Sequence, residues 1–238
     1  MKLTCFVDTC SLIYMRDIEL AHKPLHRWLW QELNVCYSAT IWGEIQNHLH
    51  DMGSDATWLS RFGDKYVYPL STPTVTSVES IMFGHARPID VPGGVCHCCN
   101  RDKTRRQNIT SVLTGTRDRG ERHNCCTALA SVIRGKQPQV IFLTDDEAGV
   151  RDYVQSGFVT PFFGVVWSSL DFLLYLFVHH WRRIPYQQIE AALRDINARK
   201  SAPSMGPDKA AKSASRLTSY QQRATEIDRL QSAIQGVL

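Results

Sequence analysis

The sequence predicts an α/β fold in which helices cover both faces of a central parallel sheet. Three observations predict it. The runs at residues 3–7 and 140–143 are apolar or β-branched throughout, as strands buried on both faces are. Each run stops at carboxylates, Asp8 after the first and Asp145-Asp146 after the second. The segments between such runs repeat apolar residues every three or four positions, the period of a helix with one buried face.

In chain order, residues 3–7 form the first strand and 11–15 open a short helix. Leu25, Trp28, Leu29 and Leu33 give residues 24–33 a helical stripe, and 35–38 form a second short strand. Residues 40–49 read as a helix that carries Glu44, with Ile41, Ile45, His48 and Leu49 on one face. Another helix follows at 56–62, then an edge strand or extended segment at 66–70. Residues 75–83 have helical character. The stretch ARPIDVPGGVCHCCNRDKTRRQN is rich in turn formers, cations and Cys, which marks residues 84–119 as an insertion or extended loop. Glu121, Cys125, Ala128, Leu129 and Val132 then share one helical stripe, which Gly135 and Pro138 end. A strand at 140–143, a helix at 147–155, a strand region at 158–165 and helices at 167–178 and 185–196 complete a domain over residues 1–198. Residues 199–215, small, polar and basic, read as a linker. Leu217, Tyr220, Ala224, Ile227, Leu230, Ile234 and Leu238 make 216–238 an amphipathic helix.

The 238 residues suit one large domain with an appendage. With 43% hydrophobic and 21% charged residues, wholesale disorder is excluded. The net charge of +4 is compatible with a nucleic-acid partner without requiring one. The longest apolar stretch, 158–178, holds Pro161 and Asp171, so it reads as strand plus helix and no membrane span is expected. The opening residues, with Asp8 so early, resemble neither a secretory nor a transit leader. Eight Cys without such a leader are expected to be reduced thiols, which points to a cytoplasmic protein. Cys5, Cys10 and Cys36 lie in apolar runs and read as small core residues.

Carboxylates recur where a site would form. Asp8, Asp145 and Asp146 sit at strand ends, and ligands of open parallel sheets collect outside the carboxyl ends of strands. Glu121 and Glu44 lie on or beside the inward stripes of their helices. Two unscreened carboxylates about 5 Å apart repel by about 3 kcal/mol at an effective dielectric near 20. A divalent cation removes that repulsion, and all-oxygen donors select Mg²⁺ or Mn²⁺. Such a site suits phosphodiester hydrolysis. Against this stands a plainer role for each acid, as a helix N-cap or a complement to the helix dipole.

FVDTCSLI, VCYSATIWGEI, GERHNCCTALA and VIFLTDDEAGVRDY resemble, in order along the chain, the four acidic blocks of PIN-domain nucleases. The resemblance spans about residues 1–196, without the Cys-bearing stretch, and is nearest a subgroup with Gly120-Glu121, Asp145-Asp146 and Arg151 in place. It implies an α/β/α sandwich and a metal-dependent ribonuclease. Asp8, Glu44, Glu121 and Asp145 would be catalytic. Asp8, Glu121, Asp145 and Asp146 would hold Mg²⁺ or Mn²⁺, supported by Thr9, Thr144 and Arg151. Attack by metal-activated water would leave 5′-phosphate and 3′-hydroxyl ends. The implied settings are a toxin of a toxin–antitoxin pair, a defence protein or RNA processing. Two departures stand out: a longer stretch between Glu44 and Glu121, and the tail after Arg199. The rival to an enzyme is a PIN-fold RNA-binding module or scaffold without turnover. A third class is another acidic-site phosphohydrolase on a doubly wound sheet, of which the aspartyl-phosphate type is disfavoured because Thr9-Cys10 follows Asp8 where Asp-x-Asp is needed.

Three features stand outside the acidic blocks. Cys96, His97, Cys98 and Cys99 offer zinc ligands in one compact group, which His85, His123, Cys125 or Cys126 would have to complete. A reduced Cys loop is favoured over structural Zn²⁺. Arg101, Lys103, Arg105, Arg106, Arg117, Arg119 and Arg122 would hold an RNA backbone beside Glu121, or form a solvated loop. Arg182 and Arg183 read as cations at a helix end. The C-terminal helix is a coiled-coil arm, a docking helix for an antitoxin or other partner, or a helix folded back on its own domain. Partner or homodimer contact is preferred, although Gln231 falls where an apolar residue is expected.

Overall fold

The computed structural model describes residues 2–71, 73–75, 78, 119–134, 139–146, 164–200, 218, 221–222, 225–233 and 235. Four parallel strands form the central sheet in the order β4-β1-β5-β6: β1 (Thr4–Val7), β4 (Asn34–Cys36), β5 (Val140–Leu143) and β6 (Gly164–Trp167). The chain leaves β1 toward β4 on one side and returns through β5 on the other. The order therefore reverses between β1 and β5, and Asp8 and Thr144 follow those two strands directly.

Alternate residues of the central strands enter different cores, as the two-residue period of a strand requires. Cys5, Val7, Val35, Ile141 and Leu143 join the larger core. There they meet helices α1 (Thr9–Met15), α2 (Leu25–Glu32), α3 (Ala39–Asn47), α6 (Ser169–His180) and α7 (Tyr186–Lys200). Phe6, Cys36, Val140 and Phe142 point to the opposite face, against Cys125, Cys126 and Ala128 of α5 (Arg119–Ile133). The molecule is thus α/β, with helices on both faces of a parallel sheet.

Local chemistry sets the helix limits. Ser38 caps α3 by accepting from Ile41 N at 3.2 Å. Ser168 and Asp171 form a reciprocal capping box that starts α6 at Ser169, two residues later than the apolar run suggests. Asp171 is therefore a cap. Helix α4 (Ala56–Phe62) lies between two 3-10 segments, Leu49–Asp55 and Gly63–Tyr66. After it, the expected edge strand is reduced to one parallel bridge, Tyr37 to Val67. A two-stranded ribbon, β2 (Glu19–Leu20) with β3 (Lys23–Pro24), turns through Ala21 and His22 at φ 49° and 60°. Among the described residues, no helix is long and apolar enough to cross a membrane.

The tail differs from expectation where it begins. Arg199 and Lys200 were expected to open the linker, but α7 continues through both. Each has a partner that holds it in the helix: Arg199 Nη1 donates to Tyr14 O at 2.8 Å, and Lys200 pairs with Asp145. The C-terminal helix, described over 225–233, folds back on its own domain. Ile227 is 0% exposed and belongs to the larger core, with Leu230 packed against it. Full burial of such a side chain contributes about 1.5–3 kcal/mol. The predicted insertion up to residue 118, the helix at 147–155, the strand residues before 164 and the linker from 201 lie outside the described residues, while Arg119, expected in the insertion, opens α5.

Candidate functional site

The site is built at the reversal of strand order, where open parallel sheets bind ligands. Asp8 leaves β1 with its N–H bonded to Leu143 O at 2.9 Å, so its position is fixed by β5. Asp8 is 2% exposed, and each of its carboxylate oxygens accepts a hydrogen bond. Oδ1 accepts from Thr9 N at 2.7 Å, while Oδ2 accepts from Thr144 Oγ1 at 3.0 Å and from the Cys10 thiol at 2.8 Å. Asp8 is thus the N-cap of α1 and a member of the acidic cluster at once. Burial raises its pKa, these hydrogen bonds oppose the rise, and the charge of Asp146 adds to it.

Two helices bring in two further carboxylates. Glu44 Oε2 accepts from Thr9 Oγ1 at 3.4 Å, and burial and then the charge of Asp8 raise its pKa. Glu121, in the first turn of α5, is pushed up to about 8. Burial is the main cause, and the charges of Asp8, Glu44 and Asp146 all add to it. The fourth carboxylate, Asp146, is set by its own N–H, which donates to Thr144 Oγ1 at 3.1 Å. Thr144 therefore orients two acids through one hydroxyl. The charges of Asp8, Glu44 and Asp146 reach Glu121, that of Asp8 reaches Glu44 and that of Asp146 reaches Asp8, and the raised pKa values of Asp8, Glu44 and Glu121 report charge held away from water.

Asp145 has a different environment. Its carboxylate accepts from Ser11 Oγ at 2.8 Å and from Ser169 N at 3.1 and 3.2 Å, and it is also bonded by Ser169 Oγ and paired with Lys200. Its side chain is 0% exposed. The sequence reading placed Asp145 with the catalytic and metal-holding acids. In the structure its oxygens are taken up in tying β5 to α1, α6 and α7. Asp146 is the acid of this pair whose charge reaches Asp8 and Glu121.

Other expectations also meet their positions. Arg122, expected on an RNA-facing loop, is 2% exposed; a guanidinium buried in the fold is not available to a phosphate backbone. Arg119 is exposed. Cys10, expected as a core residue, instead gives its thiol to Asp8. Cys125 and Cys126 are both fully buried, and His123 Nδ1 lies 2.6 Å from Thr40 Oγ1. Cys96, His97, Cys98, Cys99, His85, Arg101, Lys103, Arg105, Arg106, Arg117 and Arg151 lie outside the described residues. Among the described residues, no three His, Cys, Asp or Glu side chains are arranged to hold a metal ion.

Two positioning devices were missed in the sequence. Asn124 is fully buried and spans three elements: its Nδ2 donates to Val7 O at 3.0 Å and its Oδ1 accepts from Ser38 N at 2.9 Å. It locks the start of α5 to the end of β1 and the cap of α3, which fixes Glu121 relative to Asp8 and Glu44. The signal was present, since Asn124 is a polar residue one turn from Glu121 on an otherwise inward face. Gly120 is the second device. A Cβ built there would stand 2.7 Å from both Cδ and Oε2 of Glu44. The absent side chain is what lets α5 approach the Glu44 carboxylate.

This close approach gives a test that separates fold from site. Gly120→Ala is expected to leave stability unchanged or raise it by up to about 1 kcal/mol, because Ala favours a helix over Gly. It should also lower any site-dependent activity at least about tenfold by displacing the Glu44 carboxylate. Urea denaturation and an activity assay on the same preparation check both halves. A parallel loss of stability would show that the position is needed for packing alone.

Comparison with protein-family models, with curated proteins and with solved structures finds no match to this chain.

Proposed function

We propose that this protein is a metal-dependent endoribonuclease with a PIN-like fold, hydrolysing RNA phosphodiester bonds. The observation that carries the proposal is the gathering of Asp8, Glu44, Glu121 and Asp146 at the reversal of strand order, each of the first three with a raised pKa. The donor chemistry fits Mg²⁺ or Mn²⁺: every donor is a carboxylate oxygen, and their mutual repulsion is what a dication offsets. Asp8, Glu121 and Asp146 would hold the ion, with Glu44 beside them. Bound there, it would supply an electrophile for the phosphate and a water of lowered pKa.

The residues of the chain do the rest. Thr144 holds the Asp8 and Asp146 segments together, Thr9 turns Glu44 inward, and Asn124 sets the distance between α5 and β1. A toxin–antitoxin, defence or RNA-processing setting goes with this reading. A second reading, a PIN-fold RNA-binding module or scaffold without turnover, is favoured by one observation: among the described residues, no three acids are arranged to hold an ion. Incubation of the purified chain with a pool of structured and single-stranded RNAs, with Mn²⁺ or with EDTA, separates the two. Cleavage only with the metal supports the nuclease, and binding without cleavage in either condition supports the module.

The raised carboxyls also fix a pH dependence. Glu121 goes from 4.5 to about 8 on folding, so between those values the folded state binds a proton that the unfolded state does not. Stability of the metal-free protein is therefore greatest below about pH 4.5 as far as this group contributes, and falls as pH rises toward 8. Denaturation in EDTA at intervals from pH 5 to 9 is expected to show that decline. Saturating Mn²⁺ should flatten it, because the cation takes the place of the proton. A flat EDTA profile would show that the acids do not share one buried environment.

A further inference from the structure

Far from the acidic cluster in sequence, a cleft of about 400 Å³ opens where the turn between α6 and α7 meets the C-terminal helix. One wall carries Trp181, Arg182, Tyr186 and Gln187, and the other carries Gln231 and Gln235. The volume is in the range of small-molecule sites. Trp181 and Tyr186 are half-buried and pack against the larger core. The Arg182 guanidinium lies over the Trp181 ring, 5.2 Å from its centroid, and is exposed at the rim.

The C-terminal helix supplies the second observation. Ile227, Gln231 and Gln235 are four residues apart and share one face. Ile227 is sunk in the core, and the face continues as two glutamines where an apolar stripe would continue as Leu or Ile. Each amide offers two donors and an acceptor with two lone pairs. The cleft therefore combines flat π faces, three amides able to read a hydrogen-bonding edge, and one planar cation suited to a phosphate. A sugar would use the ring faces and the amides but has no anion for Arg182.

We propose that this cleft is a binding site for a phosphorylated nucleoside. The base takes the place of the Arg182 guanidinium over the Trp181 ring, Gln187, Gln231 and Gln235 read its edge, and Arg182 moves off the ring to the phosphate. The source is either a free nucleotide or a nucleotide within single-stranded RNA. Because one wall is the C-terminal helix, occupancy also clamps that helix to the domain. The site stands apart from the acidic cluster and does not depend on its activity.

Calorimetric titration of the full chain in EDTA, with AMP, UMP and a single-stranded RNA hexamer as separate probes, tests this. Binding of a mononucleotide assigns a free nucleotide, and binding of the hexamer alone assigns RNA. In both cases Arg182→Gln should weaken binding about tenfold, the loss of one charge-assisted contact. Gln231→Ala combined with Gln235→Ala should weaken it to a similar extent. Arg182 and Gln235 are exposed, so circular dichroism of both variants is expected to match the parent. No binding of any probe at millimolar concentration overturns the proposal. So does binding that both variants leave unchanged.

Discussion

Asp8→Asn is expected to abolish metal-dependent RNA cleavage, a loss of about 10²–10³-fold or more, while the protein stays folded. The geometry supports both halves. Asn keeps the volume of Asp and one oxygen, so the contact from Thr9 N can persist. On the other side the new amide meets Thr144 Oγ1, now at 3.0 Å from Oδ2, and a hydroxyl can rotate from donating to accepting. The cost to stability is that of rearranged hydrogen bonds, about 1 kcal/mol. What cannot be rearranged is charge. Asp8 contributes to the raised pKa of both Glu44 and Glu121, so it is the hub of the cluster. Its neutralisation should move the Glu121 titration down from about 8 and weaken Mn²⁺ binding in the same preparation. Cleavage, calorimetric Mn²⁺ titration and thermal melting read the three effects. Unchanged cleavage in a folded Asp8→Asn protein would remove the site from the reaction altogether.

Most of the sheet was legible because its central strands are buried on both faces and read as unbroken apolar runs. The three strand-end acids were legible for the same reason, since nothing else interrupts those runs. Other features were set by contacts distant in sequence. The ribbon at Glu19–Pro24 turns on Ala21 and His22 in the left-handed region, where a hairpin of this type ordinarily shows Asn or Gly. A Gln188 side chain from α7 accepts from Ala21 N at 2.7 Å, a contact that no local pattern announces. The end of α7 is similar: Arg199 and Lys200 look like linker cations until their partners near residues 14 and 145 are known. Within the site, helical spacing brought Glu44 and Glu121 inward. It could not rank Asp145 against Asp146, because adjacent residues after a strand point in different directions and only the neighbours of each decide its role.

That division of roles makes the second large effect a loss of stability. Asp145→Asn is expected to destabilise the fold by about 3–5 kcal/mol, the cost of leaving one member of a buried ion pair without its partner. Lys200 is 11% exposed at its side chain and Asp145 0%, so the ammonium left behind has little water to turn to. Asn keeps one oxygen, so Lys200, Ser11 and Ser169, which share two oxygens in the parent, must compete for it at the ties of α1, α6 and α7 to the end of β5. A domain of this kind has about 5–15 kcal/mol in total, so the midpoint of urea denaturation should fall steeply with an unchanged slope. Lys200→Met should cost less, because Asp145 keeps its serine and backbone donors and the Met side chain fills the path of the Lys stem. The double variant should recover part of the Asp145→Asn loss, since the stranded charge is gone. An acid at the metal would behave in the opposite way, with stability kept, cleavage lost and no coupling to Lys200. Asp146→Asn is expected to show that second pattern, because its charge reaches Asp8 and Glu121. The contrast between two neighbouring aspartates, one lost as stability and the other as activity, follows from the direction each side chain takes as the chain leaves β5.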